Sequence, residues 1–221
     1  MSTPLQDLLN GDIAGFLSFA VAILIAITIH EFAHAKAAQK AGDPTPEAHG
    51  RVTLNPLAHF DPIGTVALLF AGFGWGRPVP VNPFLLKRPR VDNILVSLWG
   101  PLSNLLVAAV FALPFRIAWL LPPDVSQTYM EPIIAPDAYG QLLGHIIIIN
   151  LVLCVFNLIP IHPLDGSHIL SGLLPLEQAK AYDLFGHRYG FMVLLLLVVT
   201  GATRLVLGAP VMGLFRLLTG L

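Results

Sequence analysis

His30, Glu31, Phe32, Ala33 and His34 place two imidazoles and a carboxylate within little more than one helical turn. Residues four apart on an α-helix lie about 40° apart around its axis, so both imidazoles face one side and can grip a single cation. Glu31 flanks that cation and can reach a water beside it, which is the arrangement of metal-assisted hydrolysis with a carboxylate base. The surroundings sharpen the case. The preceding residues, 13 to 29, are nearly all apolar. An ionisable group at the centre of a bilayer costs about 2.5 to 3.5 kcal/mol on insertion scales, so three of them in five residues call for a compensating partner, which a metal ion supplies. The competing reading puts them beyond the hydrocarbon edge, solvated beside Lys36 and Lys40 and capping a helix end.

Two imidazoles leave a catalytic zinc short of protein ligands, since such sites ordinarily use three plus water. The longer H-E-x-x-H-x-x-G-x-x-H pattern fails here, because Ala37 and Lys40 occupy the Gly and His places, and Glu47 follows too closely to belong to a second helix. The better candidate is Asp165 in NLIPIHPLDGSHIL, where an apolar helix breaks at Pro160 and the chain turns through Pro163, Asp165 and Gly166.

The elements that must bring these residues together are set by composition. Of 221 residues, 55% are hydrophobic and only 11% charged, so lipid is the solvent for most of the chain. With a net charge of -1 and no basic stripe, nucleic-acid binding is set aside. The lone Cys154 excludes an intramolecular disulfide and reads as a packed apolar residue. No Lys or Arg precedes Lys36, so the first apolar run is expected to stay in the mature protein rather than to serve as a cleaved signal.

The fold expected is an all-α polytopic membrane protein with about four spanning helices, forming a single membrane-embedded domain over residues 1–221. Residues 13 to 29 with the following HEFAHAKAAQKA make the first span, Val91 to Leu121 the second with a kink at Gly100-Pro101, 139 to 159 the third and 189 to 207 the last. Residues 209 to 221 leave room for a further half-helix. Between the first two spans, a short β-like RVTL at 51 to 54 and an apolar run at 62 to 74 suggest a re-entrant or interfacial element.

Lys36, Lys40, Arg51, Arg77, Lys87, Arg88 and Arg90 all lie between the first and second spans, which assigns that stretch to the cytoplasm and the loop at 122 to 138 to the outside. His30 to His34 and Asp165 then fall near the cytoplasmic ends of their helices, at one depth.

The pairing of HEFAH on one spanning helix with NLIPIHPLDG near another, joined by GPLSN at 100 to 104, resembles the site-2 protease family of intramembrane metalloproteases (peptidase family M50). HGRVTLNPLAHFDPIG and GWGRPVPVNP are similar to the short prokaryotic members without a PDZ or CBS domain, and the likeness covers roughly residues 17 to 175. It implies one zinc ion per chain ligated by His30, His34 and Asp165, with Glu31 as base and Asn157 holding the substrate backbone or the oxyanion. Asn104 is a further candidate for substrate contact, although Asn104, Asn150 and Asn157 equally suit hydrogen bonding between helices. It also implies membrane-protein substrates with spanning helices and a place in a prokaryotic cytoplasmic membrane, with the active site toward the cytoplasm. The chain departs from the family where His162 replaces the middle proline of Pro-x-Pro-Pro-Leu-Asp-Gly; with His168, this leaves two alternative ligands near Asp165, each otherwise a loop histidine facing water. His49, His59, His145 and His187 read as structural or interfacial.

Two functions compete with proteolysis. A metal carrier could also set histidines and a carboxylate at one depth, but transport has no special use for Glu31. A pseudoenzyme that binds membrane proteins without cutting them would not need both motifs intact.

Overall fold

The protein, seen in a computed structural model, is described over residues 4–71, 74–122 and 138–221. Among the described residues it is all-helical, without strands. The helices are α1 (Pro4–Leu9), α2 (Ile13–Ala41), α3 (Thr45–Ala48), α4 (Pro62–Ala71), α5 (Pro89–Leu120), α6 (Ala138–Asn157), α7 (Asp165–Leu173), α8 (Leu176–Val199) and α9 (Ala202–Thr219). The expected loop at 122 to 138 lies, apart from its two end residues, outside the described residues.

Five helices, α2, α5, α6, α8 and α9, are long and apolar enough to cross a membrane, where about four were expected. The difference arises in the run at 189 to 207, which hydropathy alone reads as one span. The chain instead turns at Thr200 and Gly201, whose φ of 73° is a left-handed conformation that glycine adopts without strain. The earlier helix starts far upstream at Leu176, and the later one absorbs residues 209 to 219.

α2, α5 and α6 form the centre, and small residues are what let them approach. Ala22, Ala26, Ala35 and Ala38 of α2, and Ala108, Ala112 and Ala118 of α5, are all at most 1% exposed. Larger side chains fill the remaining space: Leu143, Ile147 and Leu151 of α6 pack with Phe115 of α5 and Val211 of α9. The outer surface shows the opposite pattern, with Leu17, Val21, Val110, Leu113, Ile117, Leu196 and Leu205 all exposed, as helices facing hydrocarbon require. α5 runs its 32 residues, about 48 Å, through Gly100-Pro101 and Pro114 without interruption.

The β-like reading of RVTL is corrected: residues 52 and 53 form a bend, and the sole bridge among the described residues pairs Phe60 with Gly76. Local polar bonds outweigh strand propensity here. The buried Arg51 guanidinium donates to the Arg77 carbonyl, and His59, fully buried, bonds through Nε2 to the Thr53 carbonyl at 2.8 Å. The following apolar run forms α4, whose 10 residues reach about 15 Å, half a bilayer core.

Asp43 ties this connecting region to the end of α2. Its fully buried carboxylate accepts from the Thr45 amide at 2.9 Å and the Asn82 amide at 2.7 Å. Burial pushes the Asp43 carboxyl up, but the bonds from Thr45 and Asn82 outweigh it and hold the group below its ordinary value. A carboxyl depressed in the folded state contributes stability that is fully present above its unfolded value and is lost as pH falls through the folded one. Asp43→Ala, which leaves both amides without their acceptor, is therefore expected to cost on the order of 1–3 kcal/mol. The loss should appear as a lower thermal midpoint at neutral pH that converges with the parent in acid; an equal deficit at all pH values would mean the carboxylate charge is not the source.

Candidate metal centre

α2 supplies two ligating groups because His30 and His34 stand one turn apart on its inner face, 7% and 8% exposed. Their rings meet edge to face with centroids 4.6 Å apart, and their Nε2 atoms are separated by 3.0 Å. The third group comes from the turn after α6. Asp165 is the first residue of α7, and its Oδ2 lies 3.2 Å from Nε2 of His30 and 3.3 Å from Nε2 of His34. Among the described residues these three alone already have their donor atoms within 4.8 Å of one another, close enough to hold a metal ion.

The hydrogen bonds behind the rings fix which nitrogen carries the proton. His34 Nδ1 lies 2.8 Å from the Val96 carbonyl, which can only accept. His30 Nδ1 lies 2.6 Å from Asn104 Oδ1. That oxygen is assigned by the network: Asn104 Nδ2 donates to the Ala26 carbonyl at 3.0 Å and to Asn150 Oδ1 at 2.8 Å, while Asn150 Nδ2 donates to the Ile146 carbonyl. Both Nδ1 atoms are therefore donors, and both Nε2 lone pairs face inward. Asp165 Oδ2 is buried with no hydrogen-bond partner. Two lone pairs and an anionic oxygen converging in a buried site demand a positive charge, and the nitrogen and oxygen donor set suits zinc.

Space for the two rings comes from α5. A Cβ on Gly100 would sit 2.3 Å from His34 Nε2 and 2.7 Å from His30 Cε1, so a side chain there would occupy the site. The sequence marked Gly100 as a kink beside Pro101 and as the start of the GPLSN element; its structural contribution is the missing Cβ.

Glu31 leaves the same turn of α2 on the side facing residues 76–82, and its Oε2 accepts from the Val79 amide at 3.2 Å. It lines a cavity of about 320 Å³ together with His30, His34, Asp165, Asn157 and His168. Glu31, His30 and Asn157 also border a neighbouring cavity of about 420 Å³ walled by Ile23, Ile27, Phe60, Leu153 and Phe191. Asn157 faces these cavities, its Nδ2 donating to the Leu153 carbonyl of its own helix. Asn104 does not: it is fully buried behind His30, so the expected substrate contact gives way to a positioning contact, and the glue reading and the site reading hold together. His168 lines the first cavity, whereas His162 lies on the far side of the Asp165 turn against α8. His145 of α6 meets Ser18 of α2 at 2.7 Å, in keeping with a structural role.

Loss of an outer hydrogen bond to a ligating histidine typically lowers metal affinity about 10–100-fold, and Asn104→Ala should do so in zinc-buffered equilibrium titrations. Asn150→Ala, which removes one of the two acceptors that orient the Asn104 amide but spares the His30 contact, should lose clearly less than Asn104→Ala. Equal losses in the two would show that packing, not ring orientation, is what Asn104 provides.

The model of Peptidase family M50 matches residues 125–200. Over 182 residues the chain is 42% identical to "Putative zinc metalloprotease YwhC" of Bacillus subtilis (strain 168), an overlap of 81% of this chain and 79% of that protein. It is 30% identical over 186 residues to "Putative zinc metalloprotease Rip2" of Mycolicibacterium smegmatis, covering 81% of this chain and 65% of the relative. The protein of the same name from Mycobacterium tuberculosis (strain Erdman) is 30% identical over 164 residues, 72% of this chain and 58% of its own length. The chain thus spans less than two thirds of the two Rip2 proteins. No solved structure matches it significantly. With its five apolar helices and its His-His-Asp cluster, the chain belongs to peptidase family M50, the site-2 protease family, as a zinc metalloprotease of the integral, multi-pass membrane type.

Proposed function

We propose that this protein hydrolyses peptide bonds within or near the transmembrane segments of other membrane proteins, with His30, His34 and Asp165 holding one zinc ion and Glu31 as general base. The observation that carries the proposal is the sharing of Glu31, His30 and Asn157 between a polar cavity, which contains the candidate ligands, and an apolar one beside it. An apolar substrate segment has a matching surface next to the donors, and the reacting bond has a polar one.

Bound zinc supplies Lewis acidity toward a carbonyl oxygen and lowers the pKa of water toward about 7. Glu31 accepts the proton of the attacking water and delivers it to the leaving amide nitrogen, and no covalent intermediate is required. Val79 holds the Glu31 carboxylate through one amide, to Oε2, and the residue lines the cavity. Asn157 offers its side-chain oxygen to a substrate backbone N–H, and its second N–H to a substrate carbonyl or to developing oxyanion charge. A peptide bond in a helix is already hydrogen-bonded, so the substrate must unwind locally before it reaches these groups.

We read residues 1–221 as a single membrane domain, and the positive residues between Lys36 and Arg90 support an orientation with this site toward the cytoplasmic side of a prokaryotic cell membrane. Cysteines introduced at Lys87 and Ser126 should accordingly be labelled from opposite faces, Lys87 from the cytoplasm. Labelling of both from one face would overturn the orientation.

Glu31→Gln keeps size and hydrogen bonding but deletes the base. It is expected to lower cleavage of a reconstituted spanning substrate by about 10² to 10⁴ while zinc content stays at the parent level. Asp165→Ala should lose both activity and zinc. Full cleavage by zinc-loaded Glu31→Gln would remove Glu31 from the chemistry. Substrates with Gly, Pro or Asn near the cut should be cleaved faster than leucine-stiffened ones; equal rates would show that unwinding does not limit turnover.

A further inference from the structure

A second set of metal-ligating side chains lies behind the Asp165 turn, where hydrolysis makes no use of it. Its centre is His162, in the turn between α6 and α7. The residue is 6% exposed, and both ring nitrogens are buried without a hydrogen-bond partner. Nε2 stands 3.5 Å from Asp183 Oδ1, out of alignment for a hydrogen bond. The rings of His187 and His168 are 5.0 Å and 5.7 Å away between centroids.

α8 is shaped to receive this imidazole. A Cβ on Gly186 would sit 2.1 Å from His162 Nδ1, and one on Gly190 would sit 2.6 Å from the His162 carbonyl oxygen. Two glycines one turn apart thus keep a recess for a ring whose polar atoms the protein leaves unsatisfied, although buried nitrogens ordinarily find partners. The neighbours keep their donor atoms available. His187 Nδ1 donates to the Asp183 carbonyl at 2.7 Å, which leaves its lone pair on Nε2. Asp183 Oδ2 accepts from Ser171 at 2.8 Å, which leaves Oδ1 free. Burial, with the imidazoles of His168 and His187, pushes the His162 ring below its ordinary pKa against the opposing pull of Asp183, so it stays neutral.

We propose that His162, Asp183 and His187, with His168 beside them, form a second cation site for a borderline divalent metal such as zinc. Imidazole nitrogens with one carboxylate oxygen are a donor set of that class, and a ring whose Nδ1–H is held by a backbone carbonyl presents Nε2 as ligating histidines do. His187 is exposed and closes the set by a tilt of its ring that keeps the Nδ1 bond to the Asp183 carbonyl. An ion here joins α8 to the turn that presents Asp165, which stands three residues beyond His162. On the reading that Asp165 is a ligand of the catalytic zinc, the second ion stiffens that ligand's support.

Full-length protein in detergent, stripped with a chelator and titrated with Zn²⁺ and Co²⁺ under equilibrium dialysis, should bind two equivalents. Asp183→Asn, on a half-exposed face where refolding is not at stake, should weaken the second equivalent at least about tenfold and leave the first unchanged. His162→Ala should remove the second equivalent. His30→Ala should weaken the tighter equivalent and spare the other, so failure of the catalytic-site reading is separable from failure of this one. A single equivalent in the parent, or a second one that persists in both His162→Ala and Asp183→Asn, would overturn the proposal and leave water as the partner of His162.

Discussion

Two imidazole lone pairs and a carboxylate oxygen, all within 3.3 Å of one another and screened from water, repel unless a positive charge lies among them. Much of the molecule holds them in that position. His30 and His34 are one turn apart, so the rigidity of α2 fixes their spacing. What the helix cannot fix is ring rotation and tautomer, and these depend on α5: Val96 offers a carbonyl, Asn104 an amide oxygen, and Gly100 leaves room for the rings. Moving α5 along α2 by one turn would take the Asn104 amide away from His30 and put a side chain where Gly100 leaves room. The site and the register of the two helices are therefore one constraint.

Asn104 and Asn150 bind the same three helices from within. Neither amide could face lipid at tolerable cost, and hydrogen bonds between membrane helices are worth only about 0.6 kcal/mol each on average, so they are weak as glue alone. Their larger effect is orientation. Asn150 takes one N–H of Asn104, the Ala26 carbonyl takes the other, and the Asn104 oxygen is left facing His30. Reversing that amide would set N–H against N–H. A chain of polar contacts across α6, α5 and α2 thus ends in the tautomer of a candidate ligand, His30.

The sequence made the chemistry legible where spacing along one helix determines geometry. HEFAH contains its own four-residue register, and LDG sits where an apolar helix must stop, so His30, Glu31, His34 and Asp165 could be named before any tertiary arrangement was known. Contacts between distant segments were less accessible. Asn104 lies 74 positions from its partner His30, and nothing local distinguishes an asparagine facing substrate from one facing a ligand's back edge. Gly100 read as a kink because the requirement it meets lies on another helix. The fifth span was missed because a two-residue turn at Thr200 and Gly201 interrupts neither the apolar run nor its hydropathy. RVTL has strand propensity, but Arg51 finds its acceptor across a loop at Arg77, and propensity is a weak force beside a buried guanidinium.

The proposed base and the candidate ligands have different mechanical origins. His30 and His34 are locked by helix packing and by bonds to α5, and Asp165 is fixed by the start of α7. Glu31 shares a helix with the histidines, but its carboxylate is placed by a single amide, that of Val79, in the segment after α4. That segment is anchored by other bonds: Arg77 accepts from Arg51 and donates to the His59 carbonyl at 2.8 Å, and Asn82 is held by Asp43. A general base must face first a water and then a leaving nitrogen, whereas a ligand must not move. One bond of 3.2 Å at the edge of a cavity gives Glu31 that freedom, and the anchoring of its partner segment limits where it can go. The polar stretch between the first two spans therefore acts on the chemistry through the position of the Val79 amide, although it contributes none of the candidate ligands.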